Sequence, residues 1–281
     1  MKILITGTKG YIAQSFADYY TGETRLINLR DNSWRDISFA GYDAVLHTAG
    51  LVHTRETRRN QYDYYIINRD LALEVANKAK KDGVRQFIFL SSISVYGLTT
   101  GIITADTPTE PTTHYGRSKL AAESMLTALA DDTFRVAILR PPMVYGPDCP
   151  GNFASLCRLV RRVPVFPDFE NARSMVYIGN LCAYIQAVVE TGQGGVFFPR
   201  DPAPIRTGEM ALVIAKAQGK TLRLTRVFDG LIACLIPHIS IVSKLFGSLM
   251  LDSSLPEGDD VDLISFPDSV RMSIIHLNRL K

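Results

Sequence analysis

The sequence is poor in cysteine, has a single tryptophan, shows no preponderance of either charge and contains no long unbroken apolar run. Each shortage excludes something. Cys149, Cys157, Cys182 and Cys234 follow neither a disulfide framework nor a metal motif, so they read as reduced thiols and no metal site is expected. Thirty-one basic residues against 28 acidic ones leave a net charge of only +3. The two basic runs, Lys78/Lys80/Lys81 and Arg158/Arg161/Arg162, lack interleaved aromatics and look like the wet faces of helices, which argues against a nucleic-acid partner. The most apolar stretch, Leu231 to Leu251, is interrupted by Pro237, His238 and Lys244, and no run in it approaches the ~20 residues of a bilayer span. Two core helices broken at Pro237 are expected there, with peripheral membrane contact as the other reading. The first residues lack the charged, apolar and small segments of a signal peptide and run straight into a strand, so a cytoplasmic location is expected. Internal repeats and low-complexity segments are missing too.

What is present is the balance of an ordered globular chain: 281 residues, 46% apolar and 21% charged. Short apolar runs at 2–6, 25–29, 44–49, 86–92 and 135–140 alternate with helical segments near 11–20, 68–81 and 115–130. This is the rhythm of βαβ units, and the continuous apolar character of the runs fits strands buried on both faces of a parallel sheet. After Pro141-Pro142 the sequence becomes loop-rich through Arg173, then returns to a small element at Met175–Ile178, a helix over 180–190 and a strand over 196–198. The fold class expected is α/β, a Rossmann-type doubly wound parallel sheet with a smaller, mainly helical substrate-binding part. Residues 1–147 and 174–201 form the nucleotide-binding domain in this reading, and 148–173 with 202–281 form the substrate region.

Tyr115-Gly116-Arg117-Ser118-Lys119 carries the chemistry. Residues four apart are neighbours on a helix surface, so a phenol and an ammonium share one face. A free tyrosine has a pKa of about 10 and is a poor base at neutral pH. A lysine beside it favours the phenolate, making Tyr115 a usable proton acceptor and donor.

Gly7 and Gly10, in TGTKGYIA at the junction of the first strand and first helix, allow a tight turn that brings backbone N–H groups against a pyrophosphate. Ala13 in the third position is small enough for close helix–sheet packing. The end of the second strand should meet the adenosine ribose; Arg30 there makes NADP plausible through a 2′-phosphate, and Asp31 favours NAD through a 2′-hydroxyl. Ser92, in SSISVYG, closes a strand at the carboxyl edge where ligands sit in open α/β sheets, and its hydroxyl can bond a substrate oxygen.

The ordered set TGTKGYIA, HTAG, the asparagine in YYIINRD, SSISVYG, YGRSK and LRPPMVYGP resembles the extended short-chain dehydrogenase/reductase family, in its NAD-dependent nucleotide-sugar epimerase/dehydratase, UDP-glucose 4-epimerase-like branch, from Met1 to about Arg200. The resemblance implies that Tyr115 is the acid/base, that Lys119 is its electrostatic partner and a ligand of the nicotinamide ribose, and that Ser92, helped by Ser94, bonds the reacting sugar oxygen. It places Gly7, Gly10, Tyr11, Ile12, Ala49, Gly50 and Pro142 along the cofactor, Asp36 and Ile37 near the adenine, and Asn68 in support of the lysine; without the family, Asn68 reads as a helix cap. Asn152 and Arg173 would hold the substrate diphosphate, for which the fork of arginine is suited. The chain departs from the branch in three ways. It is short between the second and third strands, Ala13 replaces a glycine, and no arginine follows Asp252 where many members supply a second diphosphate clamp.

Dehydratases of the branch carry an Asp-Glu pair after the catalytic hydroxyl, whereas Ile93-Ser94-Val95 here has no carboxylate, which disfavours elimination. What the resemblance then implies is redox-neutral 4-epimerisation through a transient 4-keto sugar, with NAD retained. SMVYIGNLCAYI, GGVFFP and KLFGSLMLDSSLP resemble bacterial polysaccharide-pathway members, pointing to a UDP-hexose or UDP-N-acetylhexosamine, and behind these a polyprenyl-diphosphate sugar. The alternatives are an NADPH-dependent reductase of a 4-keto nucleotide sugar and, last, a cofactor-sensing binding protein without turnover. The family also implies a homodimer through the helices near 68–81 and 115–130.

Overall fold

The structure is a computed structural model that describes residues 1–52, 54–258 and 261–279. The first half runs β1 (Lys2–Thr6), α1 (Tyr11–Tyr19), β2 (Glu23–Ile27), β3 (Ala44–His47) and α2 (Gln61–Tyr65). A π turn over Ile66–Asp70 joins α2 to α3 (Leu71–Lys81), after which come β4 (Gln86–Leu90), β5 (Gly101–Ile103), α4 (His114–Thr127) and β6 (Arg135–Leu139). Next are β7 (Met143–Tyr145), α5 (Asn152–Arg162), β8 (Val165–Pro167), β9 (Met175–Tyr177), α6 (Ile178–Thr191) and β10 (Gly195–Phe197). The last part holds α7 (Thr207–Ala217), β11 (Arg223–Thr225), α8 (Asp229–Leu235), α9 (Ser240–Phe246), β12 (Leu249–Leu251) and α10 (Phe266–Arg279).

Six parallel strands form the central sheet in the order β10-β6-β4-β3-β1-β2. The chain leaves β1 toward β2 and then returns past β1 to β3, so the carboxyl ends of β1 and β3 flank a topological switch point. The short path between β2 and β3 leaves β2 as the sheet edge, and the 3-10 turn at Asn32–Asp36 seals that side by burying Trp34. Apolar residues on both faces explain the unbroken apolar strands. Ile3 and Ile5 join the core shared with α1 and α6, while Leu4, Phe87 and Phe89 join the core under α3 and α4.

Three expectations need correction. The segment 148–173 is not mainly loop, because α5 occupies Asn152–Arg162. Phe153, Leu156, Cys157 and Val160 bury one helical face, and the prolines that suggested a loop stand outside the helix and delimit it. The helix expected to begin at Asn68 begins at Gln61, which leaves Asn68 in the middle of a helical run. The apolar stretch 231–251 does break around Pro237, but α8 is no core helix: Ile232 is its one buried residue and Leu231 is 59% exposed.

The expected substrate region includes residues 259–260 and 280–281, which lie outside the described residues. Its framework is made of two-stranded parallel pairs that reach across the chain. β7 pairs with β9, β8 with β11 and β5 with β12, the last bringing residues 249–251 back beside the loop that follows Ser92. Among the described residues no helix is long and apolar enough to cross a membrane.

Candidate active site

The switch point is built to admit a ligand. Gly7 has φ +97°, a conformation that L side chains rarely adopt, and a Cβ there would stand 3.3 Å from Thr48 Oγ1 and 3.4 Å from the Ala49 backbone. Gly10 precedes α1 without any side-chain cap, so the first N–H groups of that helix, at Tyr11 and Ile12, are left to face a partner. Ala49 N–H bonds the Thr6 hydroxyl at 3.4 Å and Thr48 Oγ1 donates to Thr6 O at 2.6 Å, which ties the ends of β1 and β3 together. Gly50 is required for space: a Cβ would lie 3.0 Å from Asn68 Oδ1 and 3.4 Å from Lys119 Nζ. A crevice of bare backbone donors walled by glycine fits a dinucleotide pyrophosphate.

Tyr115 enters from α4. The Thr113 hydroxyl caps that helix by accepting Gly116 N–H at 3.0 Å. Glu56 adds a second anchor, its carboxylate accepting the N–H groups of His114 at 3.1 Å and Tyr115 at 2.9 Å, as suits a negative charge at a helix N-terminus. Gly116 allows close approach, since a Cβ there would meet Ser94 O at 2.5 Å. Ser92 and Tyr115 are thereby brought together, near enough for the serine hydroxyl to lower the phenol pKa. Ser92 Oγ also donates to Ser94 Oγ and accepts Ser94 N–H, both at 3.1 Å.

Lys119 is 2% exposed. Its ammonium donates to Leu90 O at 2.8 Å and lies 4.5 Å above the Phe89 ring. Burial pulls its pKa down to about 7, against a raising influence from Glu123. Burial pushes Tyr115 up to about 12, and the Ser92 hydrogen bond is what lowers it. The expectation that Lys119 lowers the phenol pKa is therefore not met in the protein alone. The ammonium is occupied by the Leu90 carbonyl, and desolvation dominates the phenol's shift.

Asn68 is fully buried in the π turn. Its Oδ1 accepts Leu51 N–H at 2.7 Å, and its Nδ2 donates to Leu51 O at 3.2 Å and Ser118 Oγ at 3.0 Å. It is no cap; it pins the loop after Gly50 to the residue beside Lys119. π turns recur at functional sites because they re-aim one side chain within a helix.

At the far end of the crevice Arg30 is exposed, three residues beyond β2, while the Asp31 carboxylate accepts Ser33 N–H at 3.0 Å and is committed to the turn. Asp36 is exposed, Ile37 packs against the second core, and Pro142 is buried after β6. Asn152 and Arg173 line one cavity in the substrate part, together with Phe153, Leu156, Met210 and Lys244.

Sequence reasoning passed over the network beneath the site. Glu123 accepts a short hydrogen bond from Ser91 and pairs with Arg140 at 2.6 Å, and Arg140 also donates to Tyr96 OH at 2.8 Å. Its signal was readable: Glu123 follows Lys119 by four residues, on the face that carries Tyr115. Glu56 lies in a loop with no such periodicity.

A parallel nucleotide-binding sheet whose crevice leads to a serine, a tyrosine and a buried lysine defines a Rossmann-type enzyme of the short-chain dehydrogenase/reductase class. A model of the NAD dependent epimerase/dehydratase family matches residues 3–197, and the chain belongs to that family. UDP-glucose 4-epimerase of Vibrio cholerae is 34% identical over 225 residues, covering 75% of this chain and 68% of that protein. The N-acetyl-alpha-D-glucosaminyl-diphospho-ditrans,octacis-undecaprenol 4-epimerase of Escherichia coli O157:H7 is 30% identical over 173 residues, covering 60% of this chain and 52% of that one. UDP-glucuronic acid 4-epimerase from Bacillus cereus, solved in complex with NAD, shares the fold at a TM-score of 0.75 and 18% identity, over 100% of this chain and 99% of that one.

Proposed function

We propose that the protein is an NAD-dependent nucleotide-sugar 4-epimerase acting on a UDP-hexose or UDP-N-acetylhexosamine. The observation that carries this reading is Tyr115 beside Ser92 at the mouth of a dinucleotide crevice, with buried Lys119 one turn along the same helix. Gly7, Gly10, Tyr11, Ile12, Ala49, Gly50 and Pro142 border the cofactor, with Arg30, Asp36 and Ile37 toward its adenosine end. Residues 1–147 and 174–201 carry it, and 148–173 with 202–281 carry the sugar nucleotide. Bound NAD supplies the acceptor and later the donor of the C4 hydride.

The protein's own part is proton transfer and positioning. Ser92, with Ser94 behind it, bonds the sugar 4-oxygen and orients it to Tyr115. Tyr115 takes the hydroxyl proton as the C4–H bond breaks and gives it back to the same oxygen when the carbonyl is reduced from its other face. Lys119 would hold the nicotinamide ribose, and Asn68 fixes the wall on which Lys119 stands. Asn152, with Arg173 beside it on the same cavity, faces the diphosphate, about which the keto sugar turns. No carboxylate stands at Ile93-Ser94-Val95 to eliminate water, which leaves epimerisation as the balanced outcome.

Arg30 favours a second reading, NADPH-dependent reduction of a 4-keto nucleotide sugar, because Asp31 is committed to its turn and leaves Arg30 as the group to meet a 2′-phosphate. A homodimer through the helices near 68–81 and 115–130 fits the exposure of Ile66 at 57% and Met125 at 40%. Val227 at 85% and Leu231 at 59% exposed support a peripheral membrane contact, which would suit a lipid-carried sugar. A panel of UDP-sugars and polyprenyl-diphosphate sugars, read by product identity without added nicotinamide, tests the proposal together with identification of the nucleotide released from the protein. Inversion of one UDP-sugar upholds it, and turnover of a 4-keto sugar that appears only when NADPH is added in stoichiometric amount replaces it with the reductase.

A further inference from the structure

Arg173 and Lys244 face one cavity, and no carboxylate lines it. Lys244 sits on α9 and is exposed, and its ammonium has no hydrogen bond or ion pair among the described residues. Arg173 is differently placed. Its Nη1 donates to Ser243 O at 3.2 Å and Gly247 O at 2.6 Å, the carbonyls at the end of α9, while its Nε is buried without a partner. The guanidinium thus serves as a strut that holds α9 in place and cannot offer its whole fork to a ligand. What it holds in place is Lys244, the residue after Ser243.

An uncommitted Lys244 ammonium beside the Arg173 guanidinium, over walls that include Phe153, Leu156 and Met210, suits an anionic ligand. The surroundings point the same way. Residues 148–173 and 202–251 hold ten basic side chains and five acidic ones, whereas the rest of the chain has a slight acidic excess. A field of one sign draws an oppositely charged ligand toward the cavity.

We propose that Lys244 is the phosphate-facing cation of the substrate site: it contacts the diphosphate of the sugar nucleotide beside Asn152, and Arg173 anchors the helix that presents it. The assignment rests on the nucleotide-sugar reading above. It supplies from α9 the charge that no arginine after Asp252 provides.

Calorimetric titration of the NAD-loaded protein with UDP, uridine and inorganic pyrophosphate tests it. In Lys244→Ala, affinity for UDP and for pyrophosphate should fall about tenfold or more, the scale of a lost hydrogen bond to a charged group. Uridine binding should stay the same, and Lys244→Arg should recover most of the loss. High salt should shrink the difference between wild type and Lys244→Ala. The assignment is overturned if Lys244→Ala binds UDP and pyrophosphate within twofold of wild type, or if wild type binds neither. The two readings separate cleanly. Epimerisation with an unchanged KM in Lys244→Ala removes Lys244 and keeps the epimerase, whereas Lys244-dependent pyrophosphate binding in a protein that inverts no sugar keeps Lys244 and removes the epimerase.

Discussion

The nucleotide half and the substrate half hold their functional side chains in different ways. In the first, Lys119 is 2% exposed and Asn68 fully buried, and each is fixed by hydrogen bonds to backbone from another element. In the second, Lys244 is exposed on a helix of seven residues, and the region is assembled from three-residue strand pairs. Burial with hydrogen bonds to the backbone gives a rigid constellation, as proton transfer requires. The loose half suits a surface that must accept one sugar nucleotide and let its keto form turn. In the proposed reaction, chemistry thus sits in the more rigid part and specificity in the looser one.

The largest effect should come from the rigid half. Tyr115→Phe removes the proposed proton carrier, and kcat should fall by at least about 10²-fold with NAD affinity within a factor of two. Residual activity near wild type would free Tyr115 from its role. Close behind, Glu123→Ala strips the partner from a buried guanidinium and should cost ~3–5 kcal/mol of stability, read as a lowered denaturant midpoint. If the midpoint hardly moves, the rigidity ascribed to this network is wrong.

Lys119 offers a pH test. Its folded pKa of about 7 lies below the ordinary 10.5, so between these values the unfolded chain keeps a proton that the folded one has released. The nucleotide-free protein should therefore gain stability from this group as pH rises from about 7 to 10.5, and the lysine's cost should be full below 7. Lys119→Met should be the more stable variant near pH 6.5, with the gap closing toward pH 10. A gap independent of pH would show that Lys119 is not desolvated as described. The smallest effect belongs to the exposed Arg30. Arg30→Ala should weaken NADP by less than about tenfold and leave NAD unchanged, as expected of a surface ion pair. An unaltered preference would mean that Arg30 contacts neither cofactor.

The same contrast governed what could be read from sequence. Buried parallel strands need continuous apolar runs, and dinucleotide turns need glycine, so β1, β3, β4 and β6 and the positions of Gly7, Ser92, Tyr115 and Lys119 were legible. β2 was displaced by two residues because its alternating half-exposed pattern, as an edge strand, carries a weaker signal. The helix α5 was hidden by prolines on both sides. Glu56 and Lys244 could not be placed at all, since a loop carboxylate that caps a distant helix and a lysine in an apolar stretch act through tertiary contacts that leave no local period. The pKa relation of Tyr115 and Lys119 was misjudged for a similar reason: spacing gives neighbourhood but not burial.

The proposed reaction inverts one carbon whose hydrogen leaves and returns while Tyr115 handles only the hydroxyl proton. UDP-glucose deuterated at C4, incubated in ordinary water with the purified protein and no added nicotinamide, tests it most directly by NMR of the product. The expected product is inverted at C4 and still carries deuterium there. Inversion with the label lost to solvent, or no inversion of this or the N-acetylated sugar, would contradict it.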